Sequence, residues 1–229
     1  YSTKKQVRWG MIYRSAEIDS LECYSRRELR NLGIKTLIDL RTSSETGRQS
    51  PLQKEFNVVH IPLATGDMEN ILKGIREEKI KSDTVYRMVE QMNRDLIDKY
   101  TTEYRQIFDI LLDKNSYPVV IHCSSGKGRT GIVSALVLAA LGINEDIIME
   151  DYRLSNDYFN IPSASKDAYQ LPARSQEAIT TLFSAREDFL NAAKEEAERR
   201  YGDIDSYLQK GIGLNKDEIK RLRSILLSD

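Results

Sequence analysis

The apolar and polar positions of the chain fall into a few short apolar runs set between longer amphipathic stretches. Positions 34–40 and the run Pro118-Val119-Val120-Ile121 are apolar almost throughout and short, which predicts buried strands, and 56–61 reads as a third. Apolar residues recur at helical spacing over 20–32, where Gly33 is the stop, over 102–112, over 144–154 behind an Asn144 cap, and over 216–227. The run 132–141 is apolar on every side and predicts a buried helix. Positions 71–100 are charged and helical in pattern and read as a lid or insertion. Positions 175–200 read as one long amphipathic helix ended by Gly202. Residues 42–50 read as a polar turn or short helix closed by Pro51, 62–70 as a loop, and 163–171 as irregular. Strands alternating with helices predict an α/β fold, with a central, mostly parallel sheet flanked by helices. The expected organisation is a single domain over 1–229, with 71–100 as the helical lid or insertion and 175–229 as a C-terminal helical elaboration.

Composition narrows the classes. The chain has 229 residues, enough to bury a sizeable core, and its 40 % hydrophobic and 30 % charged content is that of a soluble globular protein. A net charge of −1 gives no global attraction to nucleic acid or to an anionic membrane. The run 132–141 is far shorter than the ~20 residues a bilayer requires. Two cysteines, Cys23 and Cys123, argue against a disulfide framework, and two histidines, His60 and His122, leave too few ligands for a Cys/His metal site.

The candidate chemistry lies between the runs 118–121 and 132–141, in His122-Cys123-Ser124-Ser125-Gly126-Lys127-Gly128-Arg129-Thr130-Gly131. A tight loop between a buried strand and a buried helix turns the N–H groups of Ser124, Ser125, Gly126, Lys127 and Gly128 towards one point at the positive end of a helix dipole. Such a point binds a dianion without a metal. Gly126 and Gly128 are expected to permit the backbone conformations and close approaches that this needs. Arg129 offers a planar fork for two phosphate oxygens. The same groups lower the pKa of Cys123 from the ~8.5 of a free thiol to about 3.5–7.5, making a thiolate that attacks phosphorus in line. Thr130 is expected to donate a hydroxyl hydrogen bond to the sulfur as it leaves, and His122 to orient the loop through backbone hydrogen bonds. Singly, a cysteine after a strand is usually a small core residue and a glycine-rich turn only a turn. Their order and spacing together carry the reading. The Gly-Lys-Ser/Thr ending of a nucleotide-binding phosphate loop is absent.

His-Cys, five residues, then Arg-Thr-Gly resembles the signature of the cysteine-dependent protein-tyrosine and dual-specificity phosphatases. The Gly-Lys-Gly-Arg-Thr-Gly ending is similar to that of members which also accept phosphoinositides. Ile12-Tyr13-Arg14-Ser15-Ala16-Glu17, the block from Leu32-Gly33-Ile34 to Asp39-Leu40-Arg41-Thr42-Ser43-Ser44-Glu45, Asp151-Tyr152-Arg153-Leu154-Ser155-Asn156, and Tyr201-Gly202 to Tyr207-Leu208 resemble segments of the bacterial secreted-type tyrosine phosphatases. The resemblance covers nearly the whole chain. It implies a phosphomonoester hydrolase with a phosphocysteine intermediate and no cofactor, acting on phosphotyrosine with possible dual specificity, or alternatively on a phosphoinositide. It also implies a bacterial protein, cytoplasmic or exported, in which a segment precedes Tyr1. Two departures stand out. The Asn-Phe-Arg-Asp-type segment of the group is absent before Tyr1, and some members carry Asp where Gly128 stands, so substrate preference does not carry over.

Ester cleavage also needs a proton for the leaving oxygen. No Trp-Pro-Asp loop exists here. Asp67, in Leu63-Ala64-Thr65-Gly66-Asp67-Met68-Glu69, is the candidate acid, with Glu69 in reserve; the alternative for Asp67 is a helix-cap carboxylate. Arg41 is expected to pair with Glu45 or Asp39, the alternative being contact with the phosphate, and Asp151, Ser155 and Asn156 are expected to tie their helix to the phosphate loop. His60 is expected to be a packed or partly exposed strand residue. Lys127 either meets a second phosphate or only adds positive potential. A non-catalytic phosphate-binding module is the rival from another class, and it has no need of Cys123.

Overall fold

The computed structural model describes residues 5–18, 23–46, 51–159 and 168–228, with the side chains of 23–25 and 51 outside the description. Strands β1 (Ile12–Ser15), β2 (Thr36–Asp39), β3 (Asn57–His60) and β4 (Val119–His122) form one parallel sheet in the order β1-β4-β2-β3. β4 is flanked on both sides because Val119, Val120 and Ile121 are at most 2 % exposed and must be covered on both faces. The register sets Ser15, His122 and Asp39 side by side at the carboxyl ends of β1, β4 and β2. That edge is where open α/β sheets bind ligands.

The helices are α1 (Cys23–Asn31), α2 (Ser43–Thr46), α3 (Met68–Arg76), α4 (Ser82–Lys99), α5 (Thr101–Leu111), α6 (Gly128–Leu141), α7 (Glu145–Arg153), α8 (Ser155–Tyr158), α9 (Ala173–Phe183), α10 (Glu187–Tyr201), α11 (Ile204–Ser206) and α12 (Lys216–Leu226). Side chains alternate across the sheet. Leu37 and Val120 join Leu29, Ile34, Leu52 and Phe56 in a small core on one face. Ile38, Val119 and Ile121 join Tyr104, Phe108, Ile132, Leu136 and Leu226 in the large core on the other. A third apolar cluster, built on Ile71, Ile75, Val85, Val89, Ile179, Leu182 and Phe189, unites α3, α4, α9 and the start of α10. Among the described residues no helix is long and apolar enough to cross a membrane.

The expected strands at 34–40, 56–61 and 118–121 are present, as are the Asn144 cap, whose side chain accepts from the Asp146 N–H at 2.8 Å, and the stop at Gly33. One expectation is corrected, and two features add to the reading. β1 carries no apolar run, since it holds Arg14 and Ser15, is half-buried and pairs with β4 alone. The stretch 71–100 is helical, as expected, and holds most of two helices, because α3 is capped by Glu77 and the next residue, Glu78, takes a φ of +55°. The helix expected over 175–200 is likewise two, broken at Ser184–Arg186. There the Asn156 side chain accepts from the Ala185 N–H at 2.7 Å and donates to the Ala185 carbonyl at 3.0 Å, occupying the groups a continuous helix would use. The irregular stretch over 163–171, the start of the helix over 20–32, the segment at 47–50 and the side chain of Cys23 lie wholly or partly outside the described residues.

α10 contributes Phe189 to the third cluster and Leu190, Ala193 and Ala197 to the large core, so the two should unfold together. Phe189→Ala should lower stability by about 3–5 kcal/mol and move one cooperative urea transition. Two separate transitions, with only one of them shifted, would show that the clusters fold independently.

Candidate active site

The loop after β4 carries its conformation from outside. Gly126 has a φ of +67°, and a β-carbon there would lie 2.6 Å from Ala16 N and 2.7 Å from Ser15 O, so β1's end is packed directly against the loop backbone. The Ser124 carbonyl accepts from the Glu17 N–H at 3.2 Å. The Gly126 carbonyl accepts from Arg14 Nη2, also at 3.2 Å. In a trans peptide the N–H points opposite to the carbonyl before it. Drawing these two oxygens towards β1 therefore turns the N–H groups of Ser125 and Lys127 the other way, into the loop. Gly128 is the first residue of α6, and no atom of the described residues beyond its own chain neighbours and helix backbone lies within 4 Å of where a β-carbon would stand, so that space is open.

Arg14 is the functional residue that sequence reasoning quoted without giving it a task. Its Nη1 donates to the Asp151 carboxylate and carbonyl, both at 2.7 Å, and its Nη2 donates to Ser155 Oγ at 2.7 Å. Asp151 and Ser155 thus reach the phosphate loop through Arg14. Asn156 does not; it clamps Ala185, as described above. No local signal marks it, because the strand that carries it has no apolar period.

Cys123 is 1 % exposed. Burial acts to raise its pKa, but the charge of Arg129, the hydroxyl and N–H of Thr130 and the N–H of Gly126 outweigh it, and the thiol lies below its ordinary value. The fully buried Thr130 hydroxyl has no hydrogen-bond partner among the described residues, and it sits on the side of the thiol where it favours the thiolate. His122 is buried, with Nε2 3.9 Å from Asp39 Oδ2. Asp39 accepts from Arg41 Nε at 3.0 Å and Nη2 at 2.7 Å. Arg41, 1 % exposed, also meets Glu17 at 3.2 Å. Burial opposes ionisation of Asp39, but Arg41 and His122 hold its carboxyl below the usual range. His60 is an exposed strand residue whose ring meets the Arg41 carbonyl.

Glu45 is the second residue whose role the sequence did not disclose. It pairs with Arg129, not Arg41: Arg129 Nη1 and Nη2 donate to its two oxygens at 2.7 and 2.6 Å. Glu45 also accepts from Ser124 Oγ at 2.7 Å and the Thr42 N–H at 2.8 Å. Burial would raise the Glu45 pKa, but the Arg129 bonds and those from Thr42 and Ser124 bring it down to about 2. Arg129 Nη1 reaches the Leu40 carbonyl at 3.3 Å and the Leu63 carbonyl at 3.2 Å as well. The fork is therefore aimed before any anion arrives.

Asp67 lies four residues beyond Leu63 and caps α3, accepting from the Asn70 N–H at 3.0 Å and Asn70 Nδ2 at 2.6 Å. Glu69 is exposed in the first turn of that helix. The Lys127 ammonium is buried and turned to the Leu182 carbonyl. Ser124 is exposed at the mouth and Ser125 half-buried.

A buried low-pKa thiol, a guanidinium beside it, and inward N–H groups at the start of α6 make a site for thiolate attack on a bound phosphate. The family model for the tyrosine phosphatase family matches residues 1–228. This chain belongs to that family. It is 29 % identical to the triple specificity protein phosphatase PtpB of Mycobacterium tuberculosis, with 98 % of this chain and 94 % of that protein covered. It is 24 % identical to a putative tyrosine-protein phosphatase of Cupriavidus necator, over 94 % of this chain and 79 % of that one.

With its pKa lowered, Cys123 stays a thiolate until the pH falls through that value. Iodoacetamide inactivation should titrate with a midpoint below the ~8.5 of a free thiol. Arg14→Lys keeps the charge but not the geometry that binds Asp151, Ser155 and Gly126 together, and should move the midpoint upward. An unmoved midpoint would remove Arg14 from the support of the loop.

Proposed function

We propose that Cys123, Arg129 and Thr130 carry out phosphomonoester hydrolysis in this tyrosine phosphatase, with Asp67 as the acid. The Cys123 sulfur attacks phosphorus, the bond from phosphorus to the substrate oxygen breaks, and the leaving oxygen takes a proton from Asp67. Water then attacks the phosphocysteine, giving a proton to the Asp67 carboxylate, and the sulfur departs as a thiolate supported by the Thr130 hydroxyl. Arg129 and the inward N–H groups of Ser124, Ser125, Gly126, Lys127 and Gly128 hold the phosphate oxygens, and their fixed orientation stabilises the charge that grows on them. His122 and Asp39 support the base of the loop. The observation that carries the reading is the buried Cys123 thiol held below its ordinary pKa against Arg129.

Phosphorylated proteins bearing phosphotyrosine are the first substrate class, with dual specificity possible. The name triple specificity protein phosphatase borne by the Mycobacterium relative supports a range beyond phosphotyrosine, so phosphoinositides are the alternative substrates. Phosphate release from phosphotyrosine, phosphoserine and phosphoinositide substrates, compared for wild type and Cys123→Ser, tests the reading. Release should vanish in the variant. Release that persists would place the chemistry elsewhere, and no release by folded wild type would point to a binding module.

Asp67 holds a cap and a proposed proton at once, and one substitution separates them. Asn is as good an N-cap as Asp but cannot donate a carboxylic proton. Asp67→Asn should keep the thermal midpoint and lower kcat by about 10²–10⁴-fold on phenyl phosphate, with little loss on a substrate whose leaving group needs no proton. Unchanged kcat on phenyl phosphate would leave Asp67 as a cap alone.

A further inference from the structure

Lys127 is the one residue of the loop whose long side chain leaves the site. It is 5 % exposed, and its Nζ donates to the Leu182 carbonyl at 2.8 Å and stands 5.7 Å from the centre of the Phe183 ring. A buried ammonium with so few partners is costly unless it is fixed in place. Burial draws its pKa down to about 7, against the opposing pull of the Cys123 thiolate. What it touches is the end of α9. Leu182 belongs to the apolar cluster of α3, α4 and α9, and Ser82 Oγ joins Thr181 Oγ1 of the same helix at 2.8 Å. Phe183 stacks on Phe159 at 5.2 Å, and Asn156 clamps Ala185 just beyond. This junction is bound to its own helical layer by several contacts, and Lys127 joins it to the phosphate loop.

We propose that Lys127 is a positioning residue that fastens the α9–α10 junction to the phosphate loop, and that it is thereby committed to the protein itself and not to a second phosphate of the substrate. The second half rests on the phosphatase reading; the first does not. The site then reads one phosphate, through the loop N–H groups and Arg129. Filling the loop with an anion should tighten the junction through Lys127.

The test is hydrogen exchange of peptides covering 180–186, with and without orthovanadate as the anion, for wild type and Lys127→Met. At about pH 6, below its pKa, Lys127 is charged, and a hydrogen bond from a charged donor supports an opening change of about tenfold or more. Exchange at 182–186 should rise by about that factor in Lys127→Met, and vanadate should slow it in wild type but not in the variant. The kcat/KM values for a phosphotyrosine peptide and for a polyphosphorylated phosphoinositide should fall by the same factor. Unchanged exchange in Lys127→Met, or a loss confined to the polyphosphorylated substrate, would overturn the proposal. If Lys127→Met does not fold, Phe183→Leu removes the ring beside the ammonium and should raise exchange at the same peptides while weakening the vanadate response; no change in either would be equally contrary. Exchange is read without turnover, so failure of the phosphatase reading would show separately, as inactivity of the wild type.

Discussion

Everything at this site depends on holding a short loop with its N–H groups turned inward. Parallel N–H dipoles aimed at one empty point repel one another, so the arrangement must be imposed by neighbours. β1 imposes it. The Glu17 N–H and Arg14 take the outward carbonyls of Ser124 and Gly126, and the backbone of Ser15 and Ala16 fills the space beside Gly126. Arg14 in turn is fixed by Asp151 and Ser155, so the geometry at sulfur is anchored on α7 and α8. The depressed thiol pKa is the electrostatic result of this arrangement together with Arg129.

The same logic explains Glu45. A guanidinium with 7 % exposure needs a counter-charge when no phosphate is bound, and Glu45 supplies it through both terminal nitrogens. A carboxylate brought down to about 2 stays charged throughout the range in which the thiolate exists, so the fork is oriented at every working pH. The pair is only partly buried, with the Glu45 side chain 32 % exposed, so its worth lies more in aim than in stability.

How much of this was legible in the sequence follows from where each cause lies. β4, the loop and α6 could be read directly because their causes are local: a buried strand, two glycines, and a helix apolar on every side. Cys123 and Arg129 follow from spacing alone. β1 could not be read as a strand because four half-buried residues with Arg14 and Ser15 among them have no period to detect. The break between α9 and α10 is held by Asn156, 29 residues from Ala185. The Glu45–Arg129 pair joins residues 84 apart, whereas proximity in sequence favoured Arg41. Asp67 was recognised both as a candidate acid and as a cap. The cap is visible in the structure.

The account turns on Cys123 as the group that takes up phosphate. The most direct measurement is rapid acid quench during turnover of a phosphotyrosine substrate, followed by mass spectrometry of the peptide that contains residue 123. The account predicts one phosphoryl group on Cys123, appearing before free phosphate and decaying as turnover ends. Steady turnover with no phosphoryl group on that peptide at any quench time would contradict it.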